Sequence, residues 1–196
     1  IYLPSSVLLA YMAYQLPMLF SNQTFGRNFT PFERLLTETR IVWGYLRELW
    51  LPSLHDGGLF NDDIRVSRSL LHPLSTLFAT LGILGLIAYA ALARLAKKPW
   101  LRALGLAIAF YLVGQLLESS WLPLELMFEH RNYLPAGLMF LPLAIFLVQK
   151  TTHQTRWPIW LAVGILAVLA VIALKRADVW GKPFAQALSW AQQHPD

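Results

Sequence analysis

The chain has 196 residues, 56% of them hydrophobic and 14% charged, with no cysteine and a formal net charge of +5; its mean hydropathy is +0.47. A water-soluble domain carries about a quarter charged residues, so the composition argues against one, and the missing thiols exclude disulfides, thiolate nucleophiles and cysteine metal sites. The basic residues gather at the edges of apolar runs, which reads as membrane topology and headgroup contact rather than a nucleic-acid face.

The sequence predicts an all-α, polytopic bundle of about five membrane spans with one external amphipathic helix. The chain opens on Ile1 inside an apolar run without a signal-peptide pattern, so we expect a piece of a longer protein. Residues 3–20 are the first expected span, although Pro17 and Gln15 also fit a re-entrant segment. Residues 21–72 form a polar connection. Asn22 and Asn28 match the glycosylation acceptor pattern by chance in a chain without a secretory signature. Thr30, Pro31 and Glu33 have the form of a helix start. The pattern that follows is amphipathic to Trp50, with Ile41, Val42, Tyr45, Leu46 and Leu49 near one face. Arg34, Glu38 and Arg47 are expected elsewhere on that helix, with Arg34 and Arg40 as surface residues. Such a helix lies on a membrane surface or covers a bundle mouth.

Residues 55–68 read as a loop holding Asp56, Asp62, Asp63, Arg65 and Arg68. The uncharged run 73–93 is the second span, and Arg94, Lys97, Lys98 and Arg102 behind it mark a cytoplasmic turn. Residues 103–117, 133–149 and 157–174 complete the spans. Alternation then puts 21–72, 118–132 and 175–196 on one outer side. The chain divides into a membrane region, 1–174, and a juxtamembrane helix, 175–196.

Between two apolar runs, residues 118–135 hold Glu118, Glu125, Glu129, His130 and Arg131. Ionisable groups against hydrocarbon are costly and mark candidate sites. Pro123 is expected to open a short helix that puts Glu125 and Glu129 on one side. Glu129 and His130 are the candidate catalytic pair, a carboxylate for acid–base work beside a proton relay. Arg131, Arg65 and Arg68 are candidates for phosphate binding, and Asp62 with Asp63 for a divalent cation bridging a pyrophosphate. Each also fits a structural role: Glu129 pairing with Arg131, Glu125 solvated, Asp63 in a turn with Arg65. No zinc, P-loop, dinucleotide or Ser-His-Asp pattern is present.

Three segments carry a resemblance: Phe32-Glu-Arg-Leu-Leu-Thr-Glu-Thr-Arg-Ile-Val-Trp-Gly-Tyr-Leu46, Gly58-Leu-Phe-Asn-Asp-Asp63, and the stretch ending Phe128-Glu-His-Arg-Asn-Tyr-Leu-Pro135. In that order they resemble the membrane part of bacterial proteins that join a GT-C-like glycosyltransferase region to tetratricopeptide repeats. More distantly they are similar to transmembrane and tetratricopeptide-repeat O-mannosyltransferases. The resemblance implies a bacterial inner-membrane enzyme moving a sugar from a polyprenyl-phosphate donor to a periplasmic protein or glycan acceptor. It also implies a divalent metal (Mg or Mn), and a main catalytic acid and a repeat array outside this chain. The alternative is a non-catalytic scaffold that presents the repeats to envelope assembly partners. A transporter fits less well, since neither midplane charges nor inverted repeats stand out.

Overall fold

The computed structural model describes residues 2–24, 26–53, 64–151 and 155–193. The described chain is all-α, with no strand beyond an isolated bridge between Ser69 and His72. Among the described residues the α-helices follow in order: α1 Tyr2–Tyr14, α2 Pro31–Trp50, α3 Ser75–Leu92, α4 Pro99–Gln115, α5 Leu141–Lys150, α6 Trp157–Trp180 and α7 Pro183–Gln193.

The segments Ser75–Leu95 and Trp157–Trp180 are long and apolar enough to cross a membrane, with mean hydropathies of 2.0 and 2.5. The other three expected spans are shorter helices, and proline explains two of them. Around Pro17 the first run changes to a 3-10 turn, Leu16–Phe20, after α1 ends at Tyr14. The run 133–149 divides into a 3-10 turn, Pro135–Leu138, and the ten-residue α5, with Pro142 in its first turn. Helix α4 has 17 residues, about 25 Å of rise against the ~30 Å of a hydrocarbon core.

Helix α2 starts as its sequence dictates. The Thr30 hydroxyl accepts from the Glu33 amide, and the Glu33 carboxylate accepts from the Thr30 amide at 2.8 Å. The helix is not a free surface element, because it packs on α3 and touches α4 through its core side chains. Val42 meets Ala107, Tyr111 and Met139 in the core, and the Tyr111 hydroxyl donates to the Val42 carbonyl at 3.1 Å. On the α3 side the Trp43 indole donates to the Ala79 carbonyl at 3.0 Å. Its ring lies so close to Gly82 that an added Cβ would stand 2.6 Å from it.

Helices α3 and α4 pair across the basic turn, where Gly105 lets α4 approach Ala93. Helix α6 is almost uncovered, with Trp160, Leu166 and Leu174 each about two-thirds or more exposed, and α3 also shows Phe78 and Leu84 outward. Apolar surface this continuous is far beyond what a soluble monomer tolerates.

Candidate functional site

Helix α4 ends at Gln115, and the chain runs irregularly to Phe128 before a 3-10 turn, Glu129–Asn132. The short helix expected from Pro123 does not form. Local serine bonds compete with it: the Ser120 hydroxyl donates to the Leu117 carbonyl at 3.0 Å and accepts from the Leu122 amide. An irregular segment leaves carbonyls that need donors, and α2 supplies them.

The supplier is Arg34, which is fully buried rather than on the surface. Its guanidinium donates to the carbonyls of Glu118 at 2.7 Å, Leu124 at 3.1 Å and Glu125 at 3.2 Å, and also to that of Ser120. A carboxylate oxygen of Glu38, one turn further along α2, stands 2.8 Å from it. Arg34 and Glu38 therefore share the covered face with Ile41, Val42 and Tyr45, at spacings of a single helical stripe. Burial pushes the Glu38 carboxyl up to about 8, against the opposing charge of Arg34. Tyr45 extends the clamp: its hydroxyl donates to the Phe128 carbonyl at 3.1 Å and accepts from the Phe128 amide at 2.8 Å. Burial raises that phenol to about 12, so it stays a donor at any working pH.

The expected site residues fall into three groups. Arg131 pairs with Glu118 at 3.1 Å, donates to the Glu125 carbonyl at 3.0 Å and covers the Phe128 ring at 4.7 Å. His130 is exposed, with its ring centre 5.2 Å from that of Phe128. Glu129 opens the 3-10 turn between them. Arg65 and Arg68 lie on a segment, 64–72, that is stitched to α2. The Arg65 carbonyl accepts from Arg40 at 2.7 Å, the Ser67 amide donates to the Thr37 hydroxyl at 2.8 Å, and Arg68 pairs with Glu33 at 2.9 Å. Burial would raise the Glu33 carboxyl, but the Thr30 amide and Arg68 outweigh it and hold the pKa below its usual value. Arg40 is partly buried and not on the open surface; burial and then the like charge of Arg65 pull its pKa down. Asp62 and Asp63 lie outside the described residues. Among the described residues no three His, Asp or Glu side chains gather as a metal would require.

A cleft of about 340 Å³ opens where these segments meet. Its walls are the loop 26–29, Ile64 and Val66, and the corner residues 125–128. Arg27 and Glu125, both among its walls, form an ion pair at 3.7 Å and are both substantially exposed. The arrangement offers a solvated carboxylate, a cation and an aromatic wall at Phe128, which suits a small polar substrate. A second cavity, of about 470 Å³ and almost wholly apolar, runs between α2, α3 and α4.

Sequence reasoning missed Arg34 and Glu38 as the residues that shape the site. Their signal was the stripe 34, 38, 41, 42, 45, in which charged and apolar residues share one face. No protein-family model, curated protein or solved structure matches the chain.

Proposed function

We propose that this chain is part of a multi-pass membrane glycosyltransferase of the GT-C-like kind, with about five membrane segments and the cleft on its outer, periplasmic side. The donor is a polyprenyl-phosphate sugar and the acceptor a periplasmic protein or glycan. Acid–base work falls to the 125–130 segment, through Glu125 in the cleft or Glu129 and His130 just beyond Phe128. Arg27 in the cleft wall, with Arg65 and Arg68 on the adjoining segment, would meet a phosphate, and Asp62 with Asp63 would hold a metal if one is used. The observation that carries the reading is the cleft itself, where a solvated carboxylate and a cation form an ion pair at the meeting of three connections. The membrane part rests on the two long apolar helices, which are only 17% and 6% buried.

One observation favours the scaffold reading instead. Arg131 and Arg34 are both engaged in holding the corner together, which is a structural task. Sugar transfer separates the two. Membranes holding the intact protein are given radiolabelled polyprenyl-phosphate sugars, and label in the acceptor fraction is counted. Glu125→Gln or Glu129→Gln should lower transfer by about 10²-fold or more at unchanged protein level, the usual weight of an acid–base group. Absence of transfer in the parent protein, or full transfer in both variants, would leave the scaffold.

A further inference from the structure

The apolar cavity between α2, α3 and α4 holds one charge. Its walls include Trp43, Leu86, Leu104 and Ile108, and among them stands Arg47, exposed on α2. The depth of Arg47 follows from its neighbours. Leu86 lies about 16 Å of helix rise beyond Ser75, near the middle of the apolar segment Ser75–Leu95. That is half of a ~30 Å hydrocarbon core. Leu104 and Ile108, from the body of α4, line the groove at the same level. Either headgroup layer is then ~15 Å away, beyond the reach of one side chain.

Arginine does not deprotonate in proteins. Ionisable groups at this depth pair with an opposite charge, bond to carbonyls or line a water-filled cavity. The walls of this groove are apolar, so water does not solve the problem. No carboxylate of the described residues lies within ion-pair distance of the Arg47 guanidinium. Their acids are committed elsewhere: Glu33 to Arg68, Glu38 to Arg34, Glu118 to Arg131 and Glu125 to Arg27. Glu48, the next residue on α2, points about 100° further round the axis and has an interaction of its own.

We propose that the groove is the docking site of one apolar membrane helix from outside these 196 residues, and that this helix sets a single Asp or Glu carboxylate against Arg47 at mid-bilayer. Charge fixes the chemistry of the occupant. A lipid phosphate stays at headgroup level, and an uncharged helix leaves the cation alone. A second copy of the chain brings the same acids, already paired. A guanidinium and a carboxylate meet through two parallel N–H···O bonds, so the pair sets the register of the incoming helix. The groove, about 470 Å³, takes side chains of a crossing helix rather than the helix itself. The proposal rests on the membrane reading and not on sugar transfer.

The experiment places the photo-cross-linker benzoylphenylalanine at Leu86 of the intact protein in its native membranes. Adducts are mapped to residues by mass spectrometry. They should fall on an apolar segment of about 20 residues that carries an Asp or Glu within one turn of the adduct. Arg47→Gln should lower the yield about fivefold or more, the low end for a polar contact between membrane helices, and Arg47→Lys should keep most of it. Arg47→Glu should lose the adduct, and placing Arg at the partner's acid should restore it. That exchange decides the matter if Arg47→Gln fails to accumulate. The same cross-linker at Leu166, on the exposed face of α6, should give adducts indifferent to Arg47. Adducts with lipid alone, with residues 54–63, with a second copy or with a segment lacking a carboxylate would each overturn the proposal, as would equal yield in Arg47→Gln. Flotation after carbonate extraction scores insertion separately, and a protein that fails to float would overturn the membrane reading as well.

Discussion

Replacing Arg34 is the sharpest perturbation of the corner, because one side chain serves four carbonyls and a carboxylate. A hydrogen bond from a charged donor contributes about 1.5–3 kcal/mol net, and a buried polar group left without a partner costs about 1–3 kcal/mol. Four such losses sum to more than a domain of ordinary stability can lose. The corner should therefore detach locally before the whole protein unfolds. Removing one partner of a buried pair costs about 3–5 kcal/mol, and that sets the scale for Arg34→Leu. Arg34→Lys keeps the charge but not the planar fork, so it should fall between the two. Arg34→Leu with Glu38→Leu should recover part of the loss, since no carboxyl stays buried without its partner. Hydrogen exchange in detergent or nanodiscs reads this directly. Amides of 116–131 should exchange at least about a hundredfold faster in Arg34→Leu, the factor for ~3 kcal/mol, while α3 and α6 keep their protection. Unchanged exchange across 116–131 in that variant would refute the reasoning.

The buried Glu38 makes stability depend on pH. Its carboxyl titrates at about 8 in the folded protein, above the ordinary value of 4.5, so the folded state holds its proton more tightly than the unfolded state. Stability should fall as pH rises from about 4.5 to 8 and level off above, by roughly 3–5 kcal/mol at ~1.36 kcal/mol for each pH unit crossed. Glu38→Gln should flatten that slope in denaturant titrations, and an equally steep slope in the variant would assign the dependence elsewhere. At the α3–α4 contact, Gly105→Val drives a Cβ into the Ala93 Cβ, well inside contact distance. It should cost about 1–3 kcal/mol by overpacking, whereas Gly164→Val, with open space around it, should cost well under ~1 kcal/mol; equal melting temperatures in the two would contradict the packing described.

Some of this architecture is plain in the sequence because local chemistry decides it. The capping box at Thr30 and Glu33 forms from those residues alone, and the uncharged run behind Ser75 has no periodic face to bury. The helix expected over 175–196 is instead divided, with α6 running on to Trp180 and α7 covering Pro183–Gln193. What the sequence hides depends on distant partners. Arg34 and Glu38 read as solvated because charges usually are; only the carbonyls of the corner, 84 to 91 residues away, make their burial affordable. The corner itself looks helical from Pro123, and Ser120 and Arg34 draw its backbone groups into other bonds instead. Arg131 reaches back to Glu118 across the corner, a partner 13 residues away that its sequence neighbourhood does not announce.

The central claim is that the connection before α2 and the corner after α4 close on each other to form the cleft. A cysteine-free chain makes it testable without background labelling. The double variant Arg27→Cys with Glu125→Cys, in membranes and treated with a short, impermeant bismaleimide, replaces two side chains whose charged ends stand 3.7 Å apart. The account predicts rapid cross-linking of that pair and none between Lys97→Cys and Glu125→Cys. No cross-link at 27 and 125, with both cysteines reactive to a monofunctional maleimide, would contradict it.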